Sequence, residues 1–280
     1  MNVYSLITIP PNHNEHNCTL FLETIRDGFP DAYIRLYLNE DLQPTSRIAH
    51  YSTMYDLDLI TDFGRLTYHE WIHDRIKENK WRNEPYVIVD PDTIWWKKFD
   101  PSGINQSLAG YHVPCHINSF SKCLYMSRLH TSLLYIRSGA ELVDALDHGP
   151  QAWDTRIMDD PRISDYAPRS RIGPQTIYIY GKRIYYDTMS CPYHAIGGYT
   201  FTDTQLSCYD HINSASFYNV MVEKCLDPED VFSYHNVHHL AEHDPVKLRG
   251  LHHSITKYYQ KTAISLHDYL YLNPSPSRPL

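Results

Sequence analysis

No stretch of this 280-residue chain approaches the roughly 18 to 20 consecutive apolar residues that cross a bilayer, so no membrane span is expected. The N-terminus, MNVYSLITIP, carries neither the basic flank nor the small-residue cleavage site of a secretory leader. It reads as a buried strand, and a cytoplasmic protein is the expectation. The six cysteines (18, 115, 123, 191, 208 and 225) include no C-x-x-C pair, which argues against a zinc ribbon or a dithiol redox motif. A chain of this size needs no disulfide staples, so these thiols are expected to be reduced and mostly buried. Internal repeats and low-complexity linkers are missing; only the tail NPSPSRPL reads as disordered. Positive charge is in short supply: Lys and Arg number 25 against 33 Asp and Glu, a formal net charge of -8. That balance disfavours coating nucleic acid through a general field. One local basic stretch, Arg162, Arg169, Arg171, Lys182 and Arg183, keeps DNA open as a partner.

What is present points to a globular α/β chain. The apolar share of 42% supports a substantial core, and 24 Tyr and 18 His are unusually many. Tyrosine faces suit sugars and bases, although most such rings pack in cores. VYSLITI is a β-branched run stopped by Pro10-Pro11. CTLFLETIRDGF places Leu20, Phe21, Thr24 and Ile25 at helical spacing before Gly28 and Pro30. AYIRLYL alternates as a strand, and the chain to Asp62 has no regular pattern. GRLTYHEWIHDRIKENK carries a helical stripe of Tyr68, Ile72 and Ile76, and PYVIVD is a dense strand. This order predicts a mostly parallel sheet flanked by helices, with ligands at the carboxyl ends of the strands. The ends of interest are Thr8-Ile9-Pro10, Asn39 and the residues after Val89.

Two metal patterns compete. His69-Glu70-x-x-His73 has the H-E-x-x-H spacing, which puts two imidazoles on one helical face with a glutamate to activate water. A third protein ligand is required, and the positions that would extend the motif hold Ile76 and Asn79. A zinc hydrolase is therefore one reading. The other pattern is Asp90-Pro91-Asp92, two carboxylates at the end of a buried strand. Asp56-Leu57-Asp58 repeats the bare spacing, so only the strand context distinguishes it. Hard oxygen ligands there suit Mg²⁺ or Mn²⁺ bridging substrate phosphates and do not suit zinc.

A β-α-β start, a helix carrying a histidine and then YVIVDPDTIWW resembles the nucleotide-sugar-dependent glycosyltransferases of the GT-A fold. The resemblance is clearest over residues 1–145. SLAGYHVPC looks like the family strand after the metal motif, and SRLHTSLLYIRSGAELVDAL its strand-then-helix segment on the acceptor side. The usual Asn-Ser/Thr-Gly before that strand is replaced by His130-Thr131-Ser132. The resemblance implies a Rossmann-like, mixed and mostly parallel sheet and a D-x-D in which Asp90 and Asp92 hold Mn²⁺ or Mg²⁺ on the donor diphosphate. It implies that Thr8, Ile9 and Pro10 line the base and ribose, with Arg65 and His69 beside the diphosphate, where a guanidinium pairs well with phosphate. It implies a late histidine ligand as well. The segment VFSYHNVHHLAEHDPVKLRGLHHS offers His235, His238, His239, His243, His252 and His253, of which His239 is favoured and His252 follows. An inverting member needs a carboxylate base for the acceptor hydroxyl. Asp187 in YYDTMS and Asp203 in GGYTFTDTQLSC are the candidates, and helix N-caps are the plain alternative for both.

The reading is a single GT-A-like catalytic domain over residues 1–265, with a nucleotide-sugar half to about 105, an acceptor half beyond it, and a partly disordered tail over 266–280. The expected reaction moves a sugar from a nucleoside-diphosphate sugar to a hydroxyl of a glycan, a carrier or a modified nucleobase. The alternatives are an H-E-x-x-H zinc metallohydrolase and a non-catalytic sugar- or nucleotide-binding protein of the same fold.

Overall fold

Runs such as Val3-Tyr4-Ser5-Leu6-Ile7 are buried on both faces, the signature of a strand inside a parallel sheet covered by helices. In the computed structural model, the structure describes residues 1–7, 16–39, 46–61, 66–82, 84–91, 93–95, 98–102, 104, 108–113, 115–118, 121–137, 139–140, 142–143, 175–179, 181–190, 233–235, 264 and 266–271. Its first part runs β1 (Asn2–Ile7), α1 (His16–Gly28), β2 (Tyr33–Leu38), α2 (Ser46–Met54), β3 (Asp58–Ile60), α3 (Tyr68–Glu78) and β4 (Tyr86–Ile88). There follow β5 (Thr93–Trp95), β6 (Leu108–Val113), β7 (His116–Ile117), β8 (Leu124–Tyr125) and β9 (Arg128–Ile136). The later elements are β10 (Gln175–Ile179), β11 (Lys182–Tyr186), β12 (Ser233–His235) and α4 (Leu266–Tyr271). Among the described residues no helix is long and apolar enough to cross a membrane.

The central sheet has six strands in the order β3-β2-β1-β4-β9-β6. β1 pairs in parallel with β2 and β4, and β2 with β3, whereas β9 runs antiparallel to both β4 and β6. This is the mixed, mostly parallel α/β sheet expected from the sequence. One face buries Val3, Ile34, Leu36 and Val87 against Phe21, Leu22 and Ile25 of α1 and Ile48 of α2. The other buries Tyr4, Leu6, Tyr37 and Ile88 against Trp71, Ile72 and Ile76 of α3. Each fully buried side chain of that size is worth about 1.5–3 kcal/mol of transfer free energy. The irregular segment expected before Asp62 holds α2 and β3. Ile48 and Ser52 are the buried positions of α2, and β3 is half-buried throughout. Neither gives a strong apolar period.

A smaller four-stranded sheet, β10-β11-β8-β7, stands beside the first. Its buried face, with Leu124, Ile177, Ile179 and Ile184, is closed by Tyr269 and Leu270 of α4. Lys182 is buried and donates from Nζ to the carbonyls of Tyr269 and, at 2.9 Å, Leu270. A cation thus meets the last carbonyls of a helix, a favourable arrangement. Two expectations change here. Lys182 is a structural clamp and contributes nothing to a basic surface, and residues 266–271, expected in a partly disordered tail, form α4 with Tyr269 and Leu270 buried.

The β6–β9 ladder breaks its register between Gly110 and Tyr111: Gly110 faces Leu134, but Tyr111 faces His130. Residues 131–133 of β9 bulge out of that ladder, and bulges re-aim side chains beside functional sites. Gly110 permits the close approach, because a Cβ there would lie 2.7 Å from the Leu133 carbonyl oxygen. Gly110→Ala is expected to destabilise the fold by about 1–3 kcal/mol through overpacking, read as a lower urea midpoint at unchanged slope.

Candidate active site

The carboxyl ends of β1, β2 and β4 lie on one edge of the sheet, the edge at which open α/β sheets take ligands. Asp90 arrives there two residues after β4 and is buried, at 9% exposure. Its backbone carbonyl accepts from the Thr93 N–H at 3.2 Å, closing a tight Asp-Pro turn. Both carboxylate oxygens are engaged by neutral hydroxyls. Tyr68, the first residue of α3, donates to Oδ1, and Thr131 on the bulge of β9 donates to Oδ2 at 2.9 Å. The turn is braced again where the Thr93 hydroxyl donates to the Ser132 carbonyl at 3.2 Å. Beyond it, the Trp95 N–H donates to Thr24 of α1 at 3.1 Å, and the Trp95 indole lies over Gly28 and Phe29. A carboxylate fixed from both sides by oxygen donors is chemistry that a hard divalent cation accepts.

Asn39 ties the end of β2 to the approach of α3. Its amide donates to the Leu66 carbonyl at 3.2 Å and accepts from the Leu66 N–H at 3.3 Å. The start of α3 follows at once, and Tyr68 stacks on Trp71 with centroids 5.9 Å apart. The H-E-x-x-H glutamate has a local cause here. Glu70 occupies the third position of a capping box: its carboxylate accepts from the Thr67 N–H at 2.8 Å and from the Thr67 hydroxyl at 2.5 Å. The Thr67 hydroxyl bond, with the backbone bond second, holds the Glu70 carboxyl below the usual carboxylate range. His69 is half-buried and meets the same hydroxyl through Nε2 at 3.1 Å. Among the described residues no three His, Cys, Asp or Glu side chains gather as a metal cluster.

β9 runs antiparallel to β4, so its first residue, Arg128, extends past the edge that holds Asp90. Arg128 pairs with Asp187 at 2.5 Å, and Asp187 also accepts from the Thr188 N–H at 2.8 Å. The turn after Asp187 is closed by the Ser190 N–H to its carbonyl at 2.9 Å, with Met189 at a left-handed φ of 67° and wholly buried. The structure thus places His69 in the first turn of α3, Asp90 after β4 and Asp187 against the start of β9. Thr8, Ile9, Pro10, Arg65, Asp92, Asp203, His239 and His252 lie outside the described residues. One late histidine is placed by its backbone: His235 is in register with Thr93 in the β5–β12 pair. Tyr68 and Thr131 were missed because nothing local in the sequence joins them to Asp90. The T-x-x-E box at Thr67–Glu70 is legible in the sequence and overlaps the H-E-x-x-H pattern.

Part of the chain is similar to two solved glycosyltransferase structures. One is the mannosyltransferase PcManGT from Pyrobaculum calidifontis in complex with GDP-Man and Mn²⁺, at 14% identity and TM-score 0.35, covering 57% of this chain and 48% of that one. The other is the PaToxG glycosyltransferase, at 11% identity and TM-score 0.31, covering 52% of this chain and 56% of that one. The likeness therefore spans about half the length of each, at 48% and 56%. No family model matches the chain. No curated protein matches it either.

The Glu70 cap gives a pH test. A carboxylate whose folded pKa is depressed stabilises fully above its unfolded value, roughly 4.3, and loses that contribution as pH falls through the lower folded value. Glu70→Ala is expected to lower the melting temperature at neutral pH, with the gap from wild type closing below about pH 4. For the hydroxyl pair on Asp90, Tyr68→Phe and Thr131→Val are each expected to destabilise the fold by about 1–3 kcal/mol, read as a lower urea midpoint, because each removes a hydrogen bond to a buried carboxylate.

Proposed function

We propose that this chain is a metal-dependent glycosyltransferase that moves a sugar from a nucleoside-diphosphate sugar to an acceptor hydroxyl. The observation that carries the reading is Asp90, delivered to the carboxyl edge of a mostly parallel sheet and oriented by Tyr68 and Thr131. Asp90 and Asp92 would hold Mn²⁺ or Mg²⁺. A bound cation of that kind offsets charge on the departing diphosphate. Of the late histidines, the backbone register of His235 with Thr93 supports it as a further ligand, beside His239 and His252. Thr8, Ile9 and Pro10 follow β1 directly and would line the base and ribose. Arg65 and His69 would flank the diphosphate.

In the transfer, the acceptor oxygen bonds to the anomeric carbon as the bond from that carbon to the diphosphate oxygen breaks. The electron pair leaves on the diphosphate, and the acceptor proton passes to a base. Asp203 and Asp187 are the two proposed bases. Because Asp187 already holds Arg128 and the Thr188 N–H, it is better suited to positioning a hydroxyl, which favours Asp203 for the proton. The acceptor is a glycan, a carrier or a nucleobase hydroxyl. The zinc-hydrolase alternative loses support because Glu70 spends its carboxylate on the helix cap.

A donor screen with Mn²⁺, measuring nucleoside-diphosphate release, tests this. Asp90→Asn and Asp92→Ala are each expected to cut release by roughly 10²- to 10³-fold, the equivalent of several kcal/mol of lost charge stabilisation. Glu70→Ala should keep most of it. Release that survives both aspartate changes and vanishes with Glu70→Ala would overturn the reading.

A further inference from the structure

The smaller sheet has two unlike faces. Strand alternation sends Leu124, Ile177, Ile179 and Ile184 to the side sealed by α4. The opposite side carries His116, Tyr125 and Tyr185 in one cross-strand row, His116 facing Tyr125 and Tyr125 facing Tyr185. Their rings touch in sequence, with centroids 5.4 Å apart for His116–Tyr125 and 4.6 Å for Tyr125–Tyr185. Tyr178 and Arg183, directly opposite each other on β10 and β11, continue that side, and Tyr178 is 52% exposed. His116 is buried at one end, Tyr125 and Tyr185 are half-buried, and Arg183 is exposed. The rings are tilted by 33° and 50° to one another, so the row is stepped; Thr176 stands opposite Tyr185 and Tyr178 lies one pleat further along β10, on the open side.

Its inner end is built. The Arg128–Asp187 pair closes it, with side chains 13% and 25% exposed. Asp187 lies close enough to act on both phenols: Tyr125 and Tyr185 are held above the usual tyrosine range chiefly by burial, with Asp187 adding to it. The left-handed Met189 anchors the turn behind Asp187 in the main core, and a strained non-glycine residue of this kind persists where a position is over-determined. Arg128 is separated from Thr131, the partner of Asp90, by roughly 10 Å along β9 at about 3.3 Å per residue. The surface thus leads from solvent to the edge that holds Asp90.

We propose that this face is a carbohydrate platform: an acceptor glycan lays the apolar face of a pyranose ring on Tyr185 and Tyr125, extends outward over Tyr178, and hydrogen-bonds the Arg128–Asp187 pair at the end nearest Asp90. The proposal rests on the glycosyl-transfer reading and names the acceptor of that same site. The chemistry selects a sugar. An aromatic face buries the C–H face of a pyranose. A guanidinium and a carboxylate side by side supply a donor fork and an acceptor for neighbouring hydroxyls. A polynucleotide would bring phosphates towards Asp187 on a chain of net charge -8.

The full-length protein is titrated, without metal or donor, with hexameric gluco-, manno-, galacto- and N-acetylglucosamine oligosaccharides and with a hexathymidylate, followed by saturation-transfer NMR. In a separate arm, UDP- and GDP-sugars with Mn²⁺ are titrated into wild type and Asp90→Ala. At least one oligosaccharide is expected to bind wild type saturably. Tyr178→Ala, on an exposed position, should weaken it by roughly 3- to 10-fold, and Tyr185→Ala and Asp187→Asn by about 10-fold or more, with Tyr185→Phe restoring most of the affinity. The proposal is overturned if no hexasaccharide saturates. It also falls if binding ignores Tyr178→Ala and Tyr185→Ala in variants that melt like wild type, or if the oligonucleotide binds in the sugars' place. Oligosaccharide binding that persists while no nucleotide sugar binds sustains the platform and overturns the transferase reading instead.

Discussion

The antiparallel ladder between β4 and β9 is the contact on which the candidate site depends. β4 spans only Tyr86–Ile88, yet it is flanked by β1 on one side and β9 on the other. That pairing sets the height at which Asp90 leaves the sheet, and it brings Thr131 alongside. Because β9 runs against its neighbour, its start projects beyond the edge and carries the smaller sheet with it. A parallel strand in that place would put Arg128 at the far end of the sheet. One choice of strand direction therefore unites the carboxylate, its orienting hydroxyl and the aromatic face.

The sequence made β1, β2, β4, α1 and α3 legible because each buries a dense apolar set with a clear period. Val3 to Ile7 and Tyr86 to Val89 have almost no exposed position. The stripe expected on α3 was Tyr68, Ile72 and Ile76; the buried set is Trp71, Ile72, Arg75 and Ile76. Arg75 is the surprise, and it is accommodated because its guanidinium lies over the Tyr37 ring, 4.5 Å from the centroid, and bonds the Tyr37 hydroxyl at 2.6 Å. The β10–β11 hairpin alternates around Gly181, which takes φ 74° in the turn, and Lys182 and Arg183 give the same stretch a basic character in the sequence.

The site was legible in one residue and not in its partners. Asp90 follows from an apolar strand that ends in a carboxylate. Tyr68 and Thr131 stand 22 and 41 positions from it, and only the sheet order joins them. The H-E-x-x-H pattern has the opposite lesson. Its spacing is satisfied by any helix, and a capping box at Thr67–Glu70 accounts for the glutamate without a metal.

The break in register at Gly110 has a consequence for how such a chain can change over time. β6 pairs with β9 on both sides of the break, and beyond Val113 the same hairpin continues into the smaller sheet as β7 and β8. A bulge of this kind works as a joint. Gain or loss of a residue in residues 131–133 would swing the aromatic sheet relative to Asp90 while leaving the helices and the parallel strands in place. Descendants of one ancestor could thereby present different partners to the same carboxylate, with the hinge moved and the hearth kept.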